Sequence, residues 1–219
     1  SDAEKINGVV LILTAKDVPN NEYGLGTADQ PVLCGPGSNK TYGDHVRFVG
    51  DQVALVIAET EEIASQARDL IKVEYQELPV TSTIEEARLE KLPLVHPDLG
   101  SNTFCHFKIR KGDIDEGFKK SDVIVESEYR TPIQEHAYLQ PEAGISYLDD
   151  QERITVVVGG QWVHEDQEQI AHSLNLPLEK IRVIYPAIGG AFGGREDMSV
   201  QIILALSVMR LHEKGINRP

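Results

Sequence analysis

The chain has 219 residues, 41% of them hydrophobic and 26% charged, enough apolar material for a sizeable core and too much for a disordered chain or a mini-scaffold. Its 21 Lys and Arg against 35 Asp and Glu leave a formal charge of −14, a sign that repels a phosphate backbone, and no basic cluster offsets it, so nucleic acid is not expected as a partner. Two separated cysteines, Cys34 and Cys105, supply neither the four thiolates of an iron–sulfur cluster or all-cysteine zinc site nor a disulfide framework.

Ser1 to Lys5 do not lead from a basic region into an apolar one. The longest apolar stretch, around Ile202 to Leu211, is interrupted by Ser207 and Arg210 and falls short of the roughly 20 residues that span a bilayer. A cytoplasmic protein without a membrane partner is expected.

In chain order, Gly8–Thr14 is a continuous apolar run that reads as a buried strand, and 44–50 and 52–58 read as two more. Between them, Asn20 to Tyr42 is rich in Gly, Pro, Asn and Asp, the composition of a long surface loop. After Thr60, an N-cap candidate with Glu61 and Glu62 behind it, Ile63, Ala64, Ala67, Leu70 and Ile71 fall on one helical face. Strand alternation returns at Lys72–Tyr75. A polar stretch from about Glu85 to Ser101 reads as a linker. Strands are then predicted at Phe104–Ile109, Val123–Tyr129, Ala143–Leu148, Ile154–Val158 and Ile181–Tyr185, with helices at Val163–Leu174 and at Glu196–Glu213, the latter stopped by Gly215. The result is a mixed α/β chain without internal repeats. Because it enters directly on a strand and closes after a helix and turn, a segment of a longer polypeptide is expected.

Four segments carry chemistry-bearing residues. Gly189-Gly190-Ala191-Phe192-Gly193-Gly194-Arg195-Glu196 places four glycines between a strand and a helix, where backbone N–H groups can approach an anion; a tight strand-to-helix turn is the alternative. Neither GxGxxG nor GxxxxGK[ST] is present, so an anionic cofactor other than a nucleoside triphosphate fits better. Gly159-Gly160-Gln161-Trp162 sets an uncharged donor and acceptor at a strand's C-terminal edge, where α/β sheets bind ligands, or is a turn with a solvated Gln. His164, Glu165, Asp166 and Glu168 read as a solvated acidic helix face, since His164 and His172 are two turns apart and too distant for one metal. In 134–142, two acids, His136 and Tyr138 could form an acid–base site, but a lone His is more often a hydrogen-bonded structural residue. Asp113, Asp115 and Glu116 read as a helix start rather than a cation site, and GxSxG is absent.

These segments, taken in order, resemble the molybdenum-binding subunit of the xanthine dehydrogenase and aldehyde oxidase family. The resemblance is carried by 8–19, by Val46-Arg47-Phe48-Val49-Gly50-Asp51-Gln52-Val53 through Ala58, by 73–79, by Gly112-Asp113-Ile114-Asp115, by Gln134-Glu135-His136, by Gly160-Gln161 and by 190–196. It implies an α+β (mixed α/β) fold: a partial α/β hammerhead domain over 1–85, lacking its first strand region, a linker over 86–101 and the N-terminal part of a molybdopterin-binding domain over 102–219. It also implies a molybdenum–molybdopterin cofactor, with or without a nucleotide, and partners comprising the rest of the subunit and domains or subunits that carry iron–sulfur clusters and FAD. By the same resemblance Gln161 hydrogen-bonds near the metal, Phe192 and Gly193 meet the cofactor through their backbone, and Glu196 contacts a small heterocyclic, purine-like substrate. Gln140 stands where the family usually has Glu, and Arg195 where it usually has Lys. The general base and the substrate-orienting Arg of the family have no counterpart in this chain, which is therefore expected to be inactive alone and to bind no metal through its own side chains. In the assembled enzyme an N-heteroaromatic substrate would be hydroxylated with water-derived oxygen. The rival reading is a non-catalytic interaction module that keeps the fold, and retention of Gln161, Phe192 and Glu196 favours the enzyme.

Overall fold

A computed structural model describes residues 1–89 and 93–219. The chain forms two compact units, one made of 1–78 together with 136–219 and the other of 79–135.

In the first unit, β1 (Val9–Leu13) pairs antiparallel with β2 (Leu55–Ala58), with an irregularity between Val9 and Leu11. Helix α1 (Glu61–Asp69) follows, and Thr60 caps it by accepting the Ile63 N–H at 3.3 Å, as its sequence position predicts. The stretch 44–50 is not a strand. The Asp51 carboxylate accepts the N–H groups of Arg47 (2.6 Å) and Phe48 (3.3 Å), and these local bonds compete with a ladder and curl the chain. The segment 72–75 also stays outside any sheet, with Val73 and Tyr75 exposed.

The same unit holds a three-stranded sheet in the order β3 (Gly144–Leu148), β4 (Ile154–Val158), β5 (Ile181–Ile184), antiparallel between β3 and β4 and parallel between β4 and β5. A parallel pair needs a crossover, and α4 (Val163–Leu174) provides it. β4 is central, which explains its mostly apolar run: Ile154, Val156 and Val158 are buried, and so is Thr155 between them. Helix α5 (Gln201–Glu213) packs on β3, β4 and α4, bringing Ile202, Ala205 and Leu206 against Ile170 and Leu174 of α4 in one core. α5 begins at Gln201 rather than at Glu196. The N–H groups of Ser199 and Val200 bond to the Gln201 side chain and that of Met198 to Asp197, so 196–200 forms a side-chain-stitched approach to the helix.

The long loop read at 20–42 docks on this core through side-chain bonds from distant positions. The Gly24 N–H donates to Gln169 (3.0 Å), Gln30 Nε2 to Asp197 (2.6 Å) and, further along, Gln52 Nε2 to the Ser199 carbonyl (3.0 Å).

Among its described residues the second unit contains two short α-helices, α2 (Ile84–Ala87), capped by Thr83, and α3 (Ile114–Lys119), where Asp113 accepts the Glu116 N–H at 3.0 Å and confirms that acidic cluster as a helix start. The segments 104–109 and 123–129 are not strands: Phe107, Ile109, Val125 and Tyr129 are exposed and no partner strand meets them among the described residues. A strand conformation needs a neighbour's hydrogen bonds, and side-chain alternation alone does not supply them. Of the linker read at 86–101, residues 90–92 lie outside the described residues.

Candidate functional site

The turn after β4 and the approach to α5 meet at one place in the first unit. The Gln161 carboxamide bridges them, donating from Nε2 to Glu196 Oε1 at 2.9 Å and accepting the Gly193 N–H on Oε1 at 3.1 Å. The fold thus joins Gln161, Gly193 and Glu196, residues 35 apart at most in sequence. A primary amide has two N–H donors, so one Gln161 N–H remains for a ligand. Phe192 sits beside them with φ 54° and Gly193 with φ 90°, a left-handed pair that turns the Phe192 ring outward, 75% exposed.

Close approach explains the first glycine pair. A Cβ at Gly159 would lie 2.1 Å from Arg195 Nη1, and one at Gly160 2.1 Å from the Tyr185 hydroxyl. Arg195 is 2% exposed. Its guanidinium pairs with Glu142 at 3.0 Å, donates to the Gln140 carbonyl at 2.7 Å and stacks 4.2 Å over the Tyr138 ring. Tyr138 donates to Glu142 at 2.5 Å, which with burial raises the phenol above its ordinary range, and Ser199 Oγ donates to the other Glu142 oxygen. The Gln140 carboxamide accepts the Gly189 N–H at 2.9 Å.

Asp166 does not belong to a solvated face. It is fully buried, accepts the Tyr185 hydroxyl at 2.5 Å and Gln201 Nε2 at 3.3 Å, and burial raises its carboxyl above the usual range despite both bonds. Its signal was in the sequence, because position 166 falls on the apolar stripe of Val163, Ile170 and Leu174. Burial, and then the neighbouring Asp166 carboxylate, also raise the Tyr185 phenol. His172 bonds to Glu22 (3.0 Å) and Asn20 (2.9 Å), while His164 is exposed. His136 is exposed rather than bonded into the fold; a Cβ at Gly194 would stand 2.8 Å from its ring.

An anionic, hydrogen-bonding cofactor fits this turn. The N–H groups of Gly190, Ala191 and Phe192 find no acceptor among the described residues, and the free Gln161 N–H adds a fourth donor. No group of three or more His, Cys, Asp and Glu side chains among the described residues is arranged to hold a metal ion. No helix among the described residues is long and apolar enough to cross a membrane.

A strand-to-helix glycine turn with a side-chain amide poised beside it is an arrangement that can hold an anionic cofactor. The model of the molybdopterin cofactor-binding domain matches residues 95–214, and that of the aldehyde oxidase and xanthine dehydrogenase a/b hammerhead domain matches residues 1–79. The chain belongs to the aldehyde oxidase and xanthine dehydrogenase family. It is 39% identical to a probable xanthine dehydrogenase subunit of Bacillus subtilis over 95% of its own length and 27% of that protein's. It is 38% identical to the nicotinate dehydrogenase large molybdopterin subunit of Eubacterium barkeri over 94% of its length and 46% of the relative's. The aldehyde oxidoreductase from Desulfovibrio gigas superposes with a TM-score of 0.80 at 25% identity, covering 95% of this chain and 23% of that one. The chain therefore spans less than half the length of these relatives. The fold class is the mixed α/β one expected, and the cofactor of the family is molybdopterin carrying molybdenum.

Proposed function

We propose that the chain forms part of a molybdenum hydroxylase that acts, once assembled, on an N-heteroaromatic substrate of the purine type, with 1–85 the hammerhead portion, 86–101 a linker and 102–219 the start of the cofactor-binding portion. The observation that carries this reading is the Gln161 bridge between Gly193 and Glu196, which sets a candidate cofactor contact and a candidate substrate contact one hydrogen bond apart. Relatives named for xanthine and nicotinate support a nitrogen heterocycle.

The bound cofactor would supply two-electron redox chemistry and activation of a water-derived oxygen, and its electrons would leave through iron–sulfur and flavin partners. The chain's own residues bind and orient. The free N–H groups of 190–192 would hold anionic edges of the cofactor, and the second Gln161 N–H would point a neutral donor at it, without adding charge to a site that must accept electrons. The Phe192 ring, turned outward by its left-handed backbone, would cover one face of the site and exclude water. Glu196, anchored through one oxygen by Gln161, has its other oxygen free for a ring N–H or, when protonated, a ring nitrogen. The base that takes the proton from water lies outside these residues, so the 219-residue chain alone should neither turn over nor retain molybdenum.

The test uses the enzyme assembled with the rest of its subunit and partners. Glu196→Ala should lower kcat/KM for xanthine by about ten- to a hundredfold, the equivalent of one hydrogen bond to a charged group at roughly 1.5–3 kcal/mol, and leave a simple aldehyde nearly unchanged. Gln161→Ala should impair both. Equal slowing of aldehyde and purine by Glu196→Ala refutes its assignment to substrate.

A further inference from the structure

The Gln161 bridge depends on two loops keeping a fixed spacing, yet the three residues of the bridge lie outside helix and strand. What fixes that spacing lies one layer deeper. Asp166 stands in the first turn of α4 with its N–H on the Trp162 carbonyl at 3.0 Å, so its backbone closes the turn that carries Gln161. Its carboxylate reaches two further elements: Tyr185, directly after β5, donates to it, and so does Gln201, the first residue of α5. Gln201 in turn accepts the N–H groups of Ser199 and Val200, both at 2.9 Å, on its other amide atom. Those are the residues leading back to Glu196. The Tyr185 hydroxyl also occupies the space beside Gly160, so the same contact that satisfies Asp166 sets the height of the turn before Gln161.

Core packing does not ask for a carboxylate here. The neighbours on the same stripe, Ile170 and Leu174, are aliphatic, and a Leu at 166 would avoid the desolvation cost. Moreover, Asp166 Oδ1 is buried without a partner among the described residues, a further cost that a purely structural position would shed. We propose that Asp166 is a positioning residue: through Tyr185 and Gln201 it holds the Gln161 turn and the Gly193–Glu196 segment at the separation that lets Gln161 bridge them. The inference deepens the functional reading and rests on it for its consequence in catalysis, but not for the coupling itself.

The experiment therefore starts with the 219-residue chain, labelled with ¹⁵N, following the Gln161 side-chain amide and the Gly193 backbone amide in Asp166→Ala, Asp166→Asn and Tyr185→Phe. Amides of β1 report whether the fold is intact. Asp166→Asn keeps an acceptor oxygen for both donors and should retain wild-type Gln161 and Gly193 signals. Asp166→Ala and Tyr185→Phe should move both signals toward free values and speed exchange of the Gly193 N–H about tenfold or more. Should Asp166→Ala fail to fold, Tyr185→Phe carries the same test, since it removes one oxygen and leaves the ring in place. Unchanged Gln161 and Gly193 signals in a folded Tyr185→Phe, or an Asn variant as perturbed as the Phe variant, would overturn the proposal. In the assembled enzyme Asp166→Ala and Tyr185→Phe should lower kcat about tenfold for purine and aldehyde alike, with KM and molybdenum content retained, while Asp166→Asn stays near wild type. Displaced signals with unaltered kcat would uphold the positioning role and refute the catalytic role assigned to Gln161.

Discussion

Replacing Gly160 by Ala should destabilise the first unit by about 2–6 kcal/mol, although a methyl group on an α-carbon is the smallest change a glycine can undergo. The backbone at 160 is not in the left-handed region, so the cost is one of space. The new Cβ would stand 2.1 Å from the Tyr185 hydroxyl oxygen and 2.3 Å from the ring carbon that bears it, against the 3.4 Å or more of ordinary contact. Tyr185 cannot retreat and still donate to Asp166 at 2.5 Å. Overpacking of this kind costs about 1–3 kcal/mol, and loss of the buried donor to Asp166 a further 1–3. Urea unfolding followed by circular dichroism measures the loss. A second substitution identifies its cause: in Gly160→Ala/Tyr185→Ala the clash is gone, so the double variant should be less destabilised than the sum of the two single ones by at least about 1 kcal/mol. Simple additivity, or a Gly160→Ala effect below about 0.5 kcal/mol, would refute the close-packed contact.

Removing the Arg195 guanidinium in Arg195→Met should cost about 3 kcal/mol in thermal or urea denaturation, because Glu142 loses its ion pair and Tyr138 its cationic partner, whereas Arg195→Lys should recover only part of that. For Asp149, desolvation would raise the carboxyl, but the Arg153 N–H and guanidinium and the Gln151 N–H outweigh it and hold it at about 2, below the ordinary 3.8. A depressed folded value contributes stability that is present above pH 3.8 and is lost as pH falls through about 2, so Asp149→Asn should remove that part of the acid transition in a pH-dependent unfolding series. Cys34 is buried, and desolvation together with the Asp51 charge pushes its thiol up to about 11, while Cys105 is exposed. Titration with a chromogenic disulfide at pH 8 should therefore give one fast thiol that Cys105→Ser abolishes, with Cys34 reacting only on unfolding.

The elements most legible in the sequence are those whose pattern and partner are both local. Ile154–Val158 and Val163–Leu174 fall where the apolar run, Gly159 and the helical stripe put them, since a central strand and its crossover helix are specified by their own residues. Phe104–Ile109 and Val123–Tyr129 have strand alternation and no strand, because alternation encodes which face is apolar and leaves open what pairs with the edge. α5 starts five residues after Glu196, because the acids at 196 and 197 that resemble a first helical turn bond elsewhere, to Gln161 and to Gln30, and the helix begins at Gln201. At the candidate site, Gln161, Phe192, Gly193 and Glu196 stand out as glycine-flanked polar or strained positions. Arg195, Tyr185 and Gln201 do not, since each draws its importance from residues tens of positions away. Asp166 had a visible signature, a carboxylate on an apolar stripe, which a reading by charge clustering passes over.

The bonds from the 20–52 region onto the far end of the chain bear on how the molecule is made. Gln30 and Asp197 are 167 residues apart, and Gly24 and Gln169 are 145 apart. At about 5–20 residues per second, a ribosome releases Gln30 roughly 8–30 s before it finishes Asp197. Throughout that interval the loop has no surface to dock on, and its glycines and polar side chains stand open to proteases and chaperones. The contact between Gln30 and Asp197, next to the glycine turn that follows β5, therefore forms only after both distant regions of the chain have been made.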